Sequence, residues 1–210
     1  GAPVAAAVTA GLPTIALRCP AHPVMQAVLA KSRLNLAAPS ANKSGGISPT
    51  RAEHVLVSLG GAVPMILDAG PCKEGLESTI VAIRLENIVI LRPGPVTAET
   101  LHTLTKPQPR QQTVEKIEAP GQLASHYAPS KPVRLNAKAA QDDEWLIGFG
   151  SVAGHDNLSP TADLAQAAAH LFDALHRADA SPYRSIAVAD IPDEGIGVAI
   201  NDRLKRAATR

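Results

Sequence analysis

The run Leu36-Ala37-Ala38-Pro39-Ser40-Ala41-Asn42-Lys43-Ser44-Gly45-Gly46-Ile47-Ser48-Pro49-Thr50 starts apolar, as a buried strand does, and breaks at Pro39 into short polar side chains. Gly45 and Gly46 let the backbone turn tightly and approach a ligand. Ser48 and Pro49 have the order of an N-cap and a first helical residue. A strand thus runs into a loop of donors that opens onto a helix N-terminus, where free N–H groups and the helix dipole favour an anion such as phosphate. On shape alone the stretch is equally an ordinary strand–helix loop with turn residues and a cap.

The 210 residues suffice for one large domain or two small ones. Twenty Lys and Arg against 19 Asp and Glu give a near-neutral chain, which argues against a strong nonspecific nucleic-acid binder. Aromatic residues make up only 2%, too few for a base-stacking platform, so Ala, Val, Leu and Ile must fill the core. Cys19 and Cys72 make neither a zinc site nor a disulfide scaffold, which points to a reducing cytoplasmic setting. No apolar run reaches membrane-spanning length and no signal peptide is visible.

On the N-terminal side of the organising loop, Thr14–Arg18 reads as a strand ended by Pro20. His22-Pro23 opens a helix with Val24, Met25, Val28 and Leu29 inward. Leu34–Ala38 is the strand that enters the loop. On the other side, a helix from about Pro49 to Leu59 with Ala52, Val55, Leu56 and Leu59 inward stops at Gly60-Gly61. A strand over Val63–Leu67 follows, then a turn-rich loop. Ser78–Ile83 and Ile88–Leu91 read as a hairpin turning at Leu85-Glu86-Asn87, and Thr97 caps a short helix.

Lys106 to about Pro132 is a Pro-, Gln- and Ser-rich linker, long for a compact domain; such loops are usually functional or disordered. Beyond it, strands at Val133–Leu135, Trp145–Phe149 and Ser185–Ala189 alternate with helices. One helix carries Leu164, Ala168, Leu171, Phe172 and Leu175 on one face, with His170 and His176 on exposed flanks. This alternation implies a small α/β unit with a mainly parallel sheet. Gly195-x-Gly197 lacks the third glycine of a dinucleotide fingerprint and reads as a tight turn into a closing helix.

Four blocks, in order, resemble the two-domain threonylcarbamoyl-AMP synthases of the YrdC-like family. They are Thr14-Ile-Ala-Leu-Arg-Cys-Pro-Ala-His22, Ala37–Gly45 with Ser48-Pro-Thr50, Gly75-Leu-Glu-Ser-Thr-Ile80, and Ile90-Leu-Arg-Pro-Gly94. Pro120-Gly121 with His126-Tyr-Ala-Pro129, and the ending Gly195-Ile-Gly-Val-Ala-Ile-Asn-Asp-Arg-Leu204, resemble the longer branch. The resemblance implies an α/β fold: the C-terminal part of a YrdC/RibB-like twisted-sheet domain over 1–105, a site-closing linker over 106–132, and a small Rossmann-like domain over 133–210.

It also implies a nucleotidyltransferase. L-threonine, bicarbonate and ATP, with Mg2+, would give threonylcarbamoyl-adenylate and pyrophosphate. A downstream transferase complex would carry the threonylcarbamoyl group to tRNA. Positions matching Thr14, Ser40, Ser48 and Arg92 would contact ATP, with Asn42 near phosphate or magnesium and Tyr127 over the nucleotide. Arg18, Ala38 and Ser78 would hold threonine. Arg18 and Arg92 suit these roles because a guanidinium fork matches a carboxylate or phosphate. No catalytic nucleophile is required, since positioning and charge stabilisation carry such a transfer.

Family members have about a hundred further residues before the Thr14 block, an ordinary domain-scale length. They include a Lys-x-Arg pair that faces the triphosphate. The expectation is that these 210 residues alone are inactive and poorly soluble. The competing readings are a noncatalytic tRNA- or double-stranded-RNA-binding module, disfavoured by the near-neutral charge, a carbamoyl-transfer domain of the hydrogenase-maturation type, and an inactive remnant.

Overall fold

The computed structural model describes residues 5–9, 11–84, 87–104, 110–111 and 126–209. Residues 1–40 and 41–210 form two compact units. The first holds α1 (Ala6–Thr9) and α2 (Pro23–Ser32). α2 begins as its sequence dictates: Pro23 occupies the first turn, and His22 Nδ1 accepts from the Val24 N–H at 3.3 Å. It ends on Arg33 in the left-handed region (φ 54°), whose N–H donates to the Leu29 carbonyl at 2.9 Å. No α2 residue is buried, so its apolar stripe stays half-covered at best.

Thr14–Arg18 and Leu34–Ala38 are not strands among the described residues. A strand requires a neighbour to take its backbone hydrogen bonds, and no ladder forms in this unit. Leu17 and Leu34 are correspondingly 86% and 62% exposed. Val63–Leu67 differs from expectation in the same way, with Met65 and Leu67 exposed and no strand formed.

The second unit begins with α3 (Ala52–Leu59), which Gly60 terminates by donating its N–H to the Leu56 carbonyl. β1 (Ile80–Arg84) and β2 (Asn87–Arg92) form the expected antiparallel hairpin, with Val81 opposite Ile90 and Ile83 opposite Ile88. Asn87 opens β2, while the other two expected turn residues, Leu85 and Glu86, lie outside the described residues. α4 (Ala98–Leu104) follows, with the Thr97 hydroxyl accepting from the Thr100 N–H as its cap. β3 (Arg110–Gln111) adds a parallel edge to β2. Most of the linker lies outside the described residues.

From Val133 onward the chain builds a four-stranded, all-parallel sheet. β4 (Val133–Arg134), β5 (Glu144–Gly148), β6 (Asp156–Asn157) and β7 (Ser185–Val188) lie in the order β4-β7-β5-β6. β6 is too short to show a period in sequence. α5 (Leu164–Ala180) starts at Asp163, whose carboxylate accepts from the N–H groups of Ala165 and Gln166. It buries Ala167, Ala168, Leu171, Phe172, Ala174, Leu175 and Ala178, a stripe at helical spacing. Each fully buried Leu or Phe there contributes about 1.5–3 kcal/mol.

α6 (Gly197–Ala208) closes the chain behind a tight turn, with Gly195 at φ 50°. At Gly197 a side-chain carbon would fall 2.0 Å from the Pro192 carbonyl oxygen. These elements are α/β throughout. The core formed by β5, β7, α5 and α6 also takes in Ile47, Leu76 and Tyr127, so the organising loop and the parallel-sheet region share one interior.

Candidate active site

The loop from Ala41 to Thr50 is shaped from within. Asn42 Nδ2 donates to the carbonyls of Lys43, Gly46 and Ile47 at 3.0–3.1 Å. Gly45 supplies a positive φ of 82° for the turn. Its carbonyl accepts from the Ala128 N–H at 2.9 Å, and Gly46 pairs with Ala128 as an isolated parallel bridge. That bridge brings Tyr127, the last linker aromatic, against the loop.

Ser48 does not cap α3, whose N-cap is Arg51. The Ser48 hydroxyl is drawn instead to a charged acceptor, Glu77 Oε1 at 2.5 Å, and the residue is buried. Its carbonyl accepts from His176 Nε2 at 3.1 Å. His176 is therefore not an exposed flank of α5; it stacks on His54. His54 Nδ1 accepts from the Thr50 N–H, which leaves its proton on Nε2, 3.5 Å from Asp173 Oδ1. Arg51 donates to the same Asp173. Burial pulls both histidines below their ordinary values.

Arg92 ends β2 and is buried. Its Nε and Nη2 donate to the Ser78 carbonyl at 3.2 and 2.7 Å, so the contact uses the backbone of Ser78, whose side chain is exposed. Burial pulls the guanidinium below its ordinary value. Tyr127 is 1% exposed and held at φ 62°, with its ring packed on His126 and on Phe172. Burial first, and then the Glu77 charge, push its hydroxyl up.

The structure thus gathers Ser48, Ser78, Arg92 and Tyr127 at one junction, with the Asn42 loop beside Tyr127. Thr14, Arg18, Ala38 and Ser40 belong to the other compact unit and are exposed. At the junction lie two residues the sequence reading missed. Arg203, on α6 and fully buried, donates from Nε to Glu77 Oε2 at 3.0 Å and from Nη1 to the Pro93 carbonyl and Asp202. Its guanidinium carbon lies 5.4 Å from the Tyr127 ring centroid.

The missed pair carried a signal. Arg203 stands three residues after Ile200 and one before Leu204, on the buried face of α6. Glu77 sits inside Gly75–Ile80. Two buried guanidinium groups, the carboxylates of Glu77 and Asp202 and the hydroxyls of Ser48 and Tyr127 make a dense polar cluster at this junction.

Comparison with known proteins agrees with this architecture. Residues 1–94 match the family model described as "Telomere recombination", and residues 96–209 match "Threonylcarbamoyl-AMP synthase, C-terminal domain". A Bacillus subtilis threonylcarbamoyl-AMP synthase is 36% identical over 96% of this chain and 65% of its own length. A Pyrococcus abyssi threonylcarbamoyl-AMP synthase is 31% identical over 96% of this chain and 66% of its own. The chain therefore spans about two thirds of these relatives. The crystal structure of P. abyssi Sua5 complexed with L-threonine superposes with a TM-score of 0.86 at 30% identity, covering 98% of this chain and 67% of that one. These matches, in both regions and with the fold to go with them, establish that the chain belongs to the threonylcarbamoyl-AMP synthase family.

Proposed function

We propose that the chain serves as an L-threonylcarbamoyladenylate synthase. A carboxylate oxygen of N-carboxythreonine, formed from L-threonine and bicarbonate, attacks the α-phosphorus of ATP. The bond to the β-phosphate breaks and pyrophosphate leaves. Threonine as substrate is supported by the threonine-bound P. abyssi relative. The observation that carries the reading is the gathering of Ser48, Arg92 and Tyr127 at one buried, polar junction in a chain of this family.

Within that reading, Arg92 and the Ser48 hydroxyl steady phosphate oxygens, and Tyr127 covers the nucleotide. Arg18, Ala38 and the Ser78 segment take the threonine, while Thr14, Ser40 and Asn42 complete the nucleotide contacts. Mg2+ accompanies the triphosphate. Among the described residues no group of three or more His, Cys, Asp or Glu is arranged to hold a metal. No helix of the described residues is long and apolar enough to cross a membrane. A cytoplasmic setting and transfer of the product to tRNA by a downstream complex belong to the same proposal.

The test uses the whole natural protein with ATP, bicarbonate and L-threonine. Pyrophosphate release that needs threonine, with threonylcarbamoyl-adenylate identified by mass spectrometry, is the expected result. Pyrophosphate release indifferent to threonine overturns the reading.

A further inference from the structure

We infer that Arg203, contributed by the last helix, is a positioning residue for the candidate nucleotide site. Through one buried guanidinium it clamps both backbone segments that form the Ser78–Arg92 contact and fixes the Tyr127 ring beside them. The inference rests on the proposed reading of that site and adds to it a role for the C-terminal helix.

The geometry is specific. Glu77 immediately precedes Ser78, and Pro93 immediately follows Arg92. Arg203 holds the first by its side chain, Nε to Oε2 at 3.0 Å, and the second by its carbonyl, Nη1 to O at 2.9 Å. The two segments touch closely: a side-chain carbon on Gly94 would fall 2.5–2.8 Å from backbone atoms of Glu77, Ser78 and Thr79. The other oxygen of Glu77 holds the Ser48 hydroxyl, so the clamp extends to the organising loop. Asp202, on the same helix turn, accepts from the same Arg203 Nη1 at 3.0 Å. Arg203 Nη2 is buried with no partner among the described residues.

A planar fork can serve Glu77 and Pro93 together while facing an aromatic ring; a lysine ammonium is a single point of attachment. Lysine at 203 keeps the charge and breaks the clamp. The site would then lose its pre-set arrangement, and nucleotide binding would have to supply the ordering that Arg203 now provides.

The experiment compares the natural protein with Arg203→Lys and Glu77→Gln, which cut the clamp from opposite ends. Fluorotyrosine is incorporated, and the Tyr127 and Tyr183 19F signals are assigned with their Phe variants. Tyr183 lies in a separate cluster with Trp145 and His155, so it reports general loss of structure. Both variants should raise the ATP KM by about tenfold or more, the scale of a lost hydrogen bond to a charged group. They should raise the threonine KM as well, because the Ser78 segment is held by the same clamp. The Tyr127 signal should move while the Tyr183 signal stays. An unchanged ATP KM with an unmoved Tyr127 signal overturns the inference. So does equal movement of both tyrosine signals, which makes Arg203 a general stability element. If the unmodified protein shows no threonine-dependent turnover, the functional reading fails, and the 19F signals with ATP affinity by calorimetry still decide the clamp.

Discussion

The imidazole rings of His54 and His176 are stacked, with centroids 3.8 Å apart and planes 24° from parallel. One ring comes from α3 and the other from α5, so the stack joins the organising-loop region to the parallel-sheet region. Asp173, Arg51 and Glu53 face His54, and Asp173, Asp179 and the Ser48 carbonyl face His176. Burial lowers both pKa values, so the folded protein binds these protons less readily than the unfolded chain. The stability carried by the neutral pair is full above the unfolded value of about 6.5 and falls as pH drops below it. Thermal midpoints should therefore decline between about pH 7.5 and about pH 5.5. The double variant His54→Gln/His176→Gln should show a flatter profile; an equal slope in both proteins would remove the pair from the account.

Gly75 sits at φ 67°, and a side-chain carbon there would fall 2.3 Å from the Ala168 carbonyl on α5. Gly75→Ala meets a left-handed penalty of about 1–2 kcal/mol before any collision. The unfolding free energy from urea titration should drop by at least that much. A smaller loss would mean that the loop and α5 part easily.

Tyr127 separates a ring from a hydroxyl. The ring is 1% exposed against Phe172, so Tyr127→Ala should cost about 3–5 kcal/mol in denaturant titrations. Among the described residues the hydroxyl meets only Arg92, outside ordinary hydrogen-bond geometry, so Tyr127→Phe should change stability by less than about 1 kcal/mol. If the two variants are equally destabilised, the hydroxyl has a partner.

Asn42 can be tested through its neighbour. Asn42→Asp exchanges three N–H contacts to carbonyls for a carboxylate that repels them. The loop should loosen, at a cost of about 1–3 kcal/mol. The Ala128 N–H, bonded to the Gly45 carbonyl, should then exchange with deuterium faster. Unchanged protection there would show that the bridge does not depend on Asn42.

The parallel-sheet region was legible because its own periodicity decides it. The apolar face of α5 appears in sequence at Leu164, Ala168, Leu171, Phe172 and Leu175; the last four are buried and Leu164 is half-buried. The hairpin over Ile80–Arg92 was legible for the same reason. Thr14–Arg18 and Val63–Leu67 misled because strand propensity forms nothing without a partner to pair with. Ser48 misled because a cap signature cannot reveal a carboxylate 29 positions away that competes for the hydroxyl. His176 was read as a solvated flank because His54 lies on a different helix.

Glu77 and Arg203 are separated by 126 positions along the polypeptide. At bacterial-to-eukaryotic synthesis rates, Glu77 leaves the ribosome on the order of ten seconds before its partner is made. A nascent molecule can finish its hairpin in that interval while its carboxylate, already within reach of Ser48, still lacks its guanidinium partner. The later-made segment that carries Arg203 then locks the earlier hairpin in place.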